Sequence, residues 1–213
     1  MENRKISFRS RTCNLSLSCY PGHFATRNSH VNYFLDMTTL KLRQSNAKEA
    51  ANALVQLYKK TIVIDTIVCL DGTEVIGAFL AEMLTAKGFF TNTVHKSVYV
   101  VTPEIDTDGQ MFFRKNVQPM IQNRNVVILM ASVTTGISIN KSWECIEFYG
   151  GKLVGISSIF SAIAEYGNLP VNSLFTTQDV PSYHTYNKHE CPYCKEGKKI
   201  DALINGYGYS ELK

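Results

Sequence analysis

Thr134, Thr135, Gly136 and Ser138 stand directly after an unbroken apolar run, Val126 to Met130. A run of that kind reads as a central parallel strand. Ile139, Trp143, Ile146 and Tyr149 then recur at helical spacing until Gly150-Gly151 stops the pattern. A loop of small hydroxyl residues opening a helix offers free backbone N–H groups at the positive end of the helix dipole, which suits a phosphate. Ordinary turn and N-cap chemistry is the competing reading of the same residues. A second group lies in the tail, where His184, His189, Cys191 and Cys194 supply zinc-ligand types in tetrahedral number. The alternative there is a reduced thiol pair packed in a small hood. Glu104, Asp106, Asp108 and Gly109 imitate the start of a calcium loop, but Lys115 stands where its closing Glu is needed, so a solvated acidic lid competes. Asp71 and Glu74 have the spacing to position Mg²⁺ near a bound phosphate. His23, His30 and His95 read as structural or surface residues.

The elements that must position these groups alternate. A helix is predicted over 46–60, with Asn46 and Glu49 as a capping-box-like start and Ala47, Ala50, Leu54, Leu57 and Tyr58 on one face. A β-branched strand over 61–70 and a helix over 75–87 closed by Gly88 follow. Strands over 95–102 and 152–160 precede and follow the central one in the chain, and the first 20 residues read as irregular or edge-strand structure. Strand–helix–strand order of this kind specifies a doubly wound parallel sheet. Its ligand crevice lies at the carboxyl ends of the strands, where loops 70–75, 102–110 and 132–138 all fall.

The whole chain sets outer bounds. At 213 residues it is expected to form one domain with a proper core. A net charge of +4, from scattered Lys and Arg, suits small anionic ligands and lacks the clustered basic face of a nucleic-acid binder. No apolar stretch approaches membrane-spanning length and no signal-peptide core is visible. Six Cys at irregular spacing argue against a secreted disulfide framework. The expectation is a cytoplasmic α/β protein without membrane or nucleic-acid partners.

The segment from Val126 to Ser138 resembles the phosphoribosyl-diphosphate (PRPP) signature of type I phosphoribosyltransferases. By that resemblance, Ser132, Thr134, Thr135, Gly136, Ile137 and Ser138 cradle a 5′-phosphate. The family's acidic pair, which holds the ribose hydroxyls, is replaced by Met130-Ala131. Three further segments resemble the orotate branch. Phe24 to Arg27 with Asn32 to Asp36 is similar to the base-binding segment, implicating Arg27, Tyr33 and Phe34. Asp71, Gly72, Thr73 and Glu74 resemble the diphosphate loop, with Thr73 at the family's Lys position. Glu190 to Gly197 resembles a CPxC tail.

The resemblance implies an α/β core over about 41–169 with a small hood from about 1–40 and 170–213. It also implies a homodimer, PRPP or a nucleoside monophosphate as ligand, and Mg²⁺ for catalysis. The family transfers a ribose phosphate from PRPP to a base nitrogen, and negative charge builds on the departing diphosphate. A basic mobile loop helps to stabilise it. Here the basic positions of that loop hold Thr102, Pro103, Asp106 and Asp108. Losing one such cation costs on the order of 10²–10³ in rate, so several losses predict weak transfer at most. Arg114 and Lys115 are the nearest substitutes. Two classes follow: an enzyme of divergent specificity, or a protein that binds a nucleotide or sugar phosphate and regulates.

Overall fold

The computed structural model of the chain describes residues 2–58, 62–86 and 97–212. In chain order, the first half holds β1 (Ile6–Arg9), β2 (Ser16–Ala25), β3 (His30–Asp36), α1 (Thr38–Leu42), α2 (Gln44–Val55), β4 (Thr66–Cys69), α3 (Glu74–Thr85) and β5 (Tyr99–Val101). The second half holds β6 (Glu104–Ile105), β7 (Met111–Phe112), β8 (Asn125–Val133), α4 (Ile137–Phe148), β9 (Lys152–Ser161), β10 (Glu165–Tyr166), β11 (Leu169–Thr176), β12 (Thr185–Tyr186), α5 (Pro192–Lys195), β13 (Ala202–Asn205) and β14 (Gly208–Glu211).

The main sheet runs β10-β11-β9-β8-β4-β5, parallel throughout except at the β10 edge. β8 sits at its centre because both faces of the strand are apolar. Val127, Leu129 and Ala131 enter one buried cluster, with α2, α3 and the hood. Val126, Ile128 and Met130 enter the other, with α4. This period of two across a strand covered on both sides is what a doubly wound sheet demands. Strand order reverses between β4 and β8, the first strand and the third of the parallel set. A crevice belongs at the carboxyl ends of that pair.

The second sheet is the hood, ordered β12-β3-β2-β13-β14, with β1 paired to β2. β13 runs parallel to β2, so the two ends of the chain share one sheet. β11 belongs to the main sheet, and β12 is the first strand after it in the hood sheet.

Several boundaries differ from expectation. α2 begins at Gln44, two residues before Asn46, because Arg43 is extended at φ −83°, ψ 118° and serves as its N-cap. Leu57 lies past the helix end and is exposed. The first strand of the main sheet is only Thr66–Cys69, and the β5 strand only Tyr99–Val101. The expected helix and strand ends at 59–61, Gly88 and His95 lie outside the described residues. Two crossovers carry no α-helix: β5 reaches β8 through the β6–β7 hairpin, and β9 reaches β11 through a short turn containing β10. Among the described residues no helix is long and apolar enough to cross a membrane.

Candidate functional site

A crevice of about 260 Å³ opens at the carboxyl ends of β4 and β8, roofed by the hood. Its floor is the loop from β8 into α4. Gly136 is the N-cap of α4, with φ +79° and no side-chain cap. The first backbone N–H groups of the helix are therefore left for a ligand. A side chain at Gly136 is excluded twice: by the left-handed backbone, and because a Cβ would lie 2.5 Å from the Tyr166 ring. Tyr166 is itself fixed by donating to Asn140 Oδ1 at 3.0 Å. Ser132, Thr134, Thr135, Gly136, Ile137 and Ser138 all line the crevice.

The end of β8 before the loop is apolar. Met130 and Ala131 are 1% and 2% exposed, and their side chains pack into the two opposite cores. Neither side chain can offer a strong hydrogen-bond acceptor, and the carboxylate beside them is that of Asp71, which takes the Ala131 N–H. At the hood end, Arg27, Tyr33 and Phe34 line the crevice together with Val31 and Tyr183. Phe34 also stacks on Tyr20 with ring centroids 5.9 Å apart, so it supports the hood as well as facing the cavity.

The loop after β4 divides in its roles. Asp71 lines the crevice, with the backbone left-handed at φ +58°. Burial pushes its carboxyl up from the ordinary range, opposed by the Ala131 N–H and by Lys41. Thr73 is fully buried and points its hydroxyl at the carbonyls of Leu70 (2.8 Å) and Leu129 (3.0 Å). It is structural there, and Glu74 accepts from Thr102 at 3.1 Å.

The cation at this loop comes from elsewhere. Lys41 of α1 is 5% exposed and lines the crevice. Its Nζ donates to the Asp71 carbonyl at 2.7 Å and to the Gly206 carbonyl, beneath the Tyr207 ring. Burial lowers its pKa, against the opposing pull of Asp71, Glu74 and Asp36. Sequence reading missed this residue. Its one signal is a Lys between Leu40 and Leu42, an oddly placed charge in an apolar turn.

Arg114 and Lys115 do not line the crevice. Arg114 forks onto Glu104 at 2.8 and 2.7 Å, which holds the exposed Glu104 carboxyl below its usual range. The acidic loop is a hairpin whose charge serves turn geometry. The Asp106 carboxylate accepts the N–H groups of Asp108 (3.0 Å) and Gln110 (2.8 Å). At the hairpin tip, Arg27 donates to the Asp108 carbonyl at 3.4 Å. The hairpin therefore reaches the hood end of the crevice in its own chain.

The tail residues separate. His184 and His189 are exposed and stand away from the thiols. Cys191 and Cys194 meet His23 and His30 instead. All six cysteines are free. Among the described residues, the one converging group of three or more metal-ligand side chains is that Cys/His set.

The mixed α/β fold with its central parallel sheet is shared with solved structures. The chain superposes on Leishmania donovani UMP synthase with a TM-score of 0.55 at 13% identity, over 84% of this chain and 36% of that one. The adenine phosphoribosyltransferase from Trypanosoma brucei, solved with AMP, pyrophosphate and ribose-5-phosphate, gives 0.51 at 14% identity over 90% and 81%. Orotate phosphoribosyltransferase from Mycobacterium tuberculosis H37Rv gives 0.51 at 13% identity over 78% and 93%. The fold is that of the type I phosphoribosyltransferases. By sequence, 93 residues are 30% identical to an orotate phosphoribosyltransferase from Caldanaerobacter subterraneus subsp. tengcongensis. That match covers 42% of this chain, which spans under half the length of the curated relative (46%). No family model matches. The phosphoribosyltransferase fold accounts for the position of the Thr134–Ser138 loop at the α4 N-terminus, next to the switch point.

Proposed function

We propose that the crevice binds a nucleoside 5′-monophosphate or PRPP by its 5′-phosphate, and that the chain is an orotate phosphoribosyltransferase-like protein adapted to binding. The observation that carries this reading is the uncapped α4 N-terminus behind Gly136, facing a cavity with Lys41 and Arg27 on its walls. The partial sequence likeness to an orotate phosphoribosyltransferase favours a pyrimidine at the base end, beside Arg27, Tyr33 and Phe34. The apolar pair Met130-Ala131, in place of carboxylates for the ribose hydroxyls, and the commitment of Arg114 to Glu104 argue against efficient transfer.

A second reading, slow transfer of ribose phosphate from PRPP to orotate, is favoured by Lys41. Its ammonium stands on the Asp71 carbonyl, where it would face a diphosphate. The test is incubation with PRPP, Mg²⁺ and orotate, following orotate loss and diphosphate release, beside calorimetric binding of orotidine 5′-monophosphate. Binding without turnover supports the binding reading. Turnover abolished by Lys41→Met supports the transferase. Neither binding nor turnover by folded protein overturns both.

A further inference from the structure

We propose that His23, His30, Cys191 and Cys194 form a structural zinc site that fastens the two ends of the chain into the hood. The four ligand atoms lie within 4.8 Å of one another. Zinc bonds of about 2.3 Å to sulfur and about 2.0–2.1 Å to nitrogen, at tetrahedral angles, place ligand atoms roughly 3.3–3.8 Å apart. The edges found are 3.0 Å between His23 Nε2 and His30 Nδ1, and 3.3 Å between His30 Nδ1 and Cys194 Sγ. Cys191 Sγ and Cys194 Sγ stand 3.5 and 3.6 Å from His23 Nε2. A cation at the centre therefore needs only small adjustments.

The protonation pattern points the same way. His23 Nδ1 lies 2.9 Å from the Lys198 carbonyl, which can only accept. Nδ1 therefore carries the proton in the neutral ring, and the Nε2 lone pair faces His30 and both sulfurs. Without a metal these contacts rest on one His30 proton and two weak S–H donors, whereas a single metal ion satisfies all four ligand atoms at once. A backbone carbonyl holding the outer nitrogen of a ligating histidine is the usual supporting arrangement. His23, Cys191 and His30 are 0%, 0% and 7% exposed, and protein supplies all four positions, so the site is closed in the manner of a structural one.

The position says what the metal does. It joins residues 168 apart in sequence, and clips across long closures gain most. Between the two histidines lies the turn 26–29, whose residues line the crevice. After the two thiols comes β13, paired to β2 at Ala202–Phe24 and Leu203–Ala25, and then Gly206, which holds Lys41. The zinc therefore fixes the base end of the crevice without touching its ligand.

The experiment uses the full chain, purified without a histidine tag from zinc-supplied cells. Elemental analysis is expected to find one zinc per chain, and cobalt exchange to give the intense visible bands of a tetrahedral site with thiolate ligands. Cys194→Ser, at an exposed position, should weaken zinc affinity by more than the roughly 10–100-fold that an outer partner costs. His184→Ala and His189→Ala should leave it unchanged. Chelation should speed trypsin cleavage after Arg27, and zinc should restore resistance. Absence of stoichiometric metal, octahedral cobalt spectra, or full affinity in Cys194→Ser would overturn the site. Unchanged cleavage on chelation would overturn its fastening role.

Discussion

At Gly136 the backbone turns left-handed so that the α4 N–H groups face the crevice, and Tyr166 packs where a side chain would stand. Gly136→Ala should therefore weaken binding of a nucleoside monophosphate at least ~10-fold, since a non-glycine residue in this conformation costs roughly 1–2 kcal/mol before the clash. Calorimetry on folded variant checks it; unchanged affinity counts against the phosphate loop. Asp71 gives a pH prediction. Its folded pKa lies above the unfolded value of 3.8, so the folded chain holds that proton more tightly. Stability from this group is present below pH 3.8 and is lost as pH rises through the raised pKa. Asp71→Asn should accordingly raise the melting temperature at pH 7 and have little effect near pH 3.5, read by thermal unfolding at both pH values. A larger gain at the acid end would reverse the sign and refute the burial argument. The strand, loop and helix that bring Thr134 to Ser138 to the crevice were legible in the sequence because they are contiguous. Lys41 was not, because its partners, Asp71 and Gly206, come from segments far along the chain.

At the scale of elements, the β6–β7 hairpin shows how composition alone misleads. Its acidic residues suggest a metal loop or a repulsive lid, yet Asp106 is occupied with backbone N–H groups and Glu104 with Arg114. Glu104→Gln should leave the melting temperature unchanged, because the pair is exposed. It should tighten PRPP binding a few-fold by freeing the Arg114 guanidinium and removing one carboxylate from the lid. Weaker binding would place Glu104 in contact with ligand. β8 was readable from its unbroken apolar run and α4 from its helical spacing. The start of α2 was not: Asn46 imitates a cap, while the extended Arg43 sets the boundary. The crossovers without α-helices were equally hidden, since β6, β7 and β10 are two-residue strands too short to carry a pattern.

For the whole molecule, one apolar cluster runs from the hood through α2 and α3 to the main sheet. Phe24 lies in it fully buried, next to His23 and across from Ala202. Phe24→Ala should destabilise the chain by about 3–5 kcal/mol, as a single transition in denaturant with hood and core probes coincident. Separate transitions would mean that the hood folds by itself. The tail histidines were the main misreading at this scale. Proximity in sequence grouped His184 and His189 with the thiols, whereas the parallel pairing of β13 with β2 brings His23 and His30 to them.

In the proposed function, a 5′-phosphate is what this crevice recognises. The most direct measurement is calorimetric titration of the chain with orotidine 5′-monophosphate and, separately, with orotidine. The account predicts binding of the phosphorylated compound alone, lost in Gly136→Ala; equal affinity for the two compounds would contradict it.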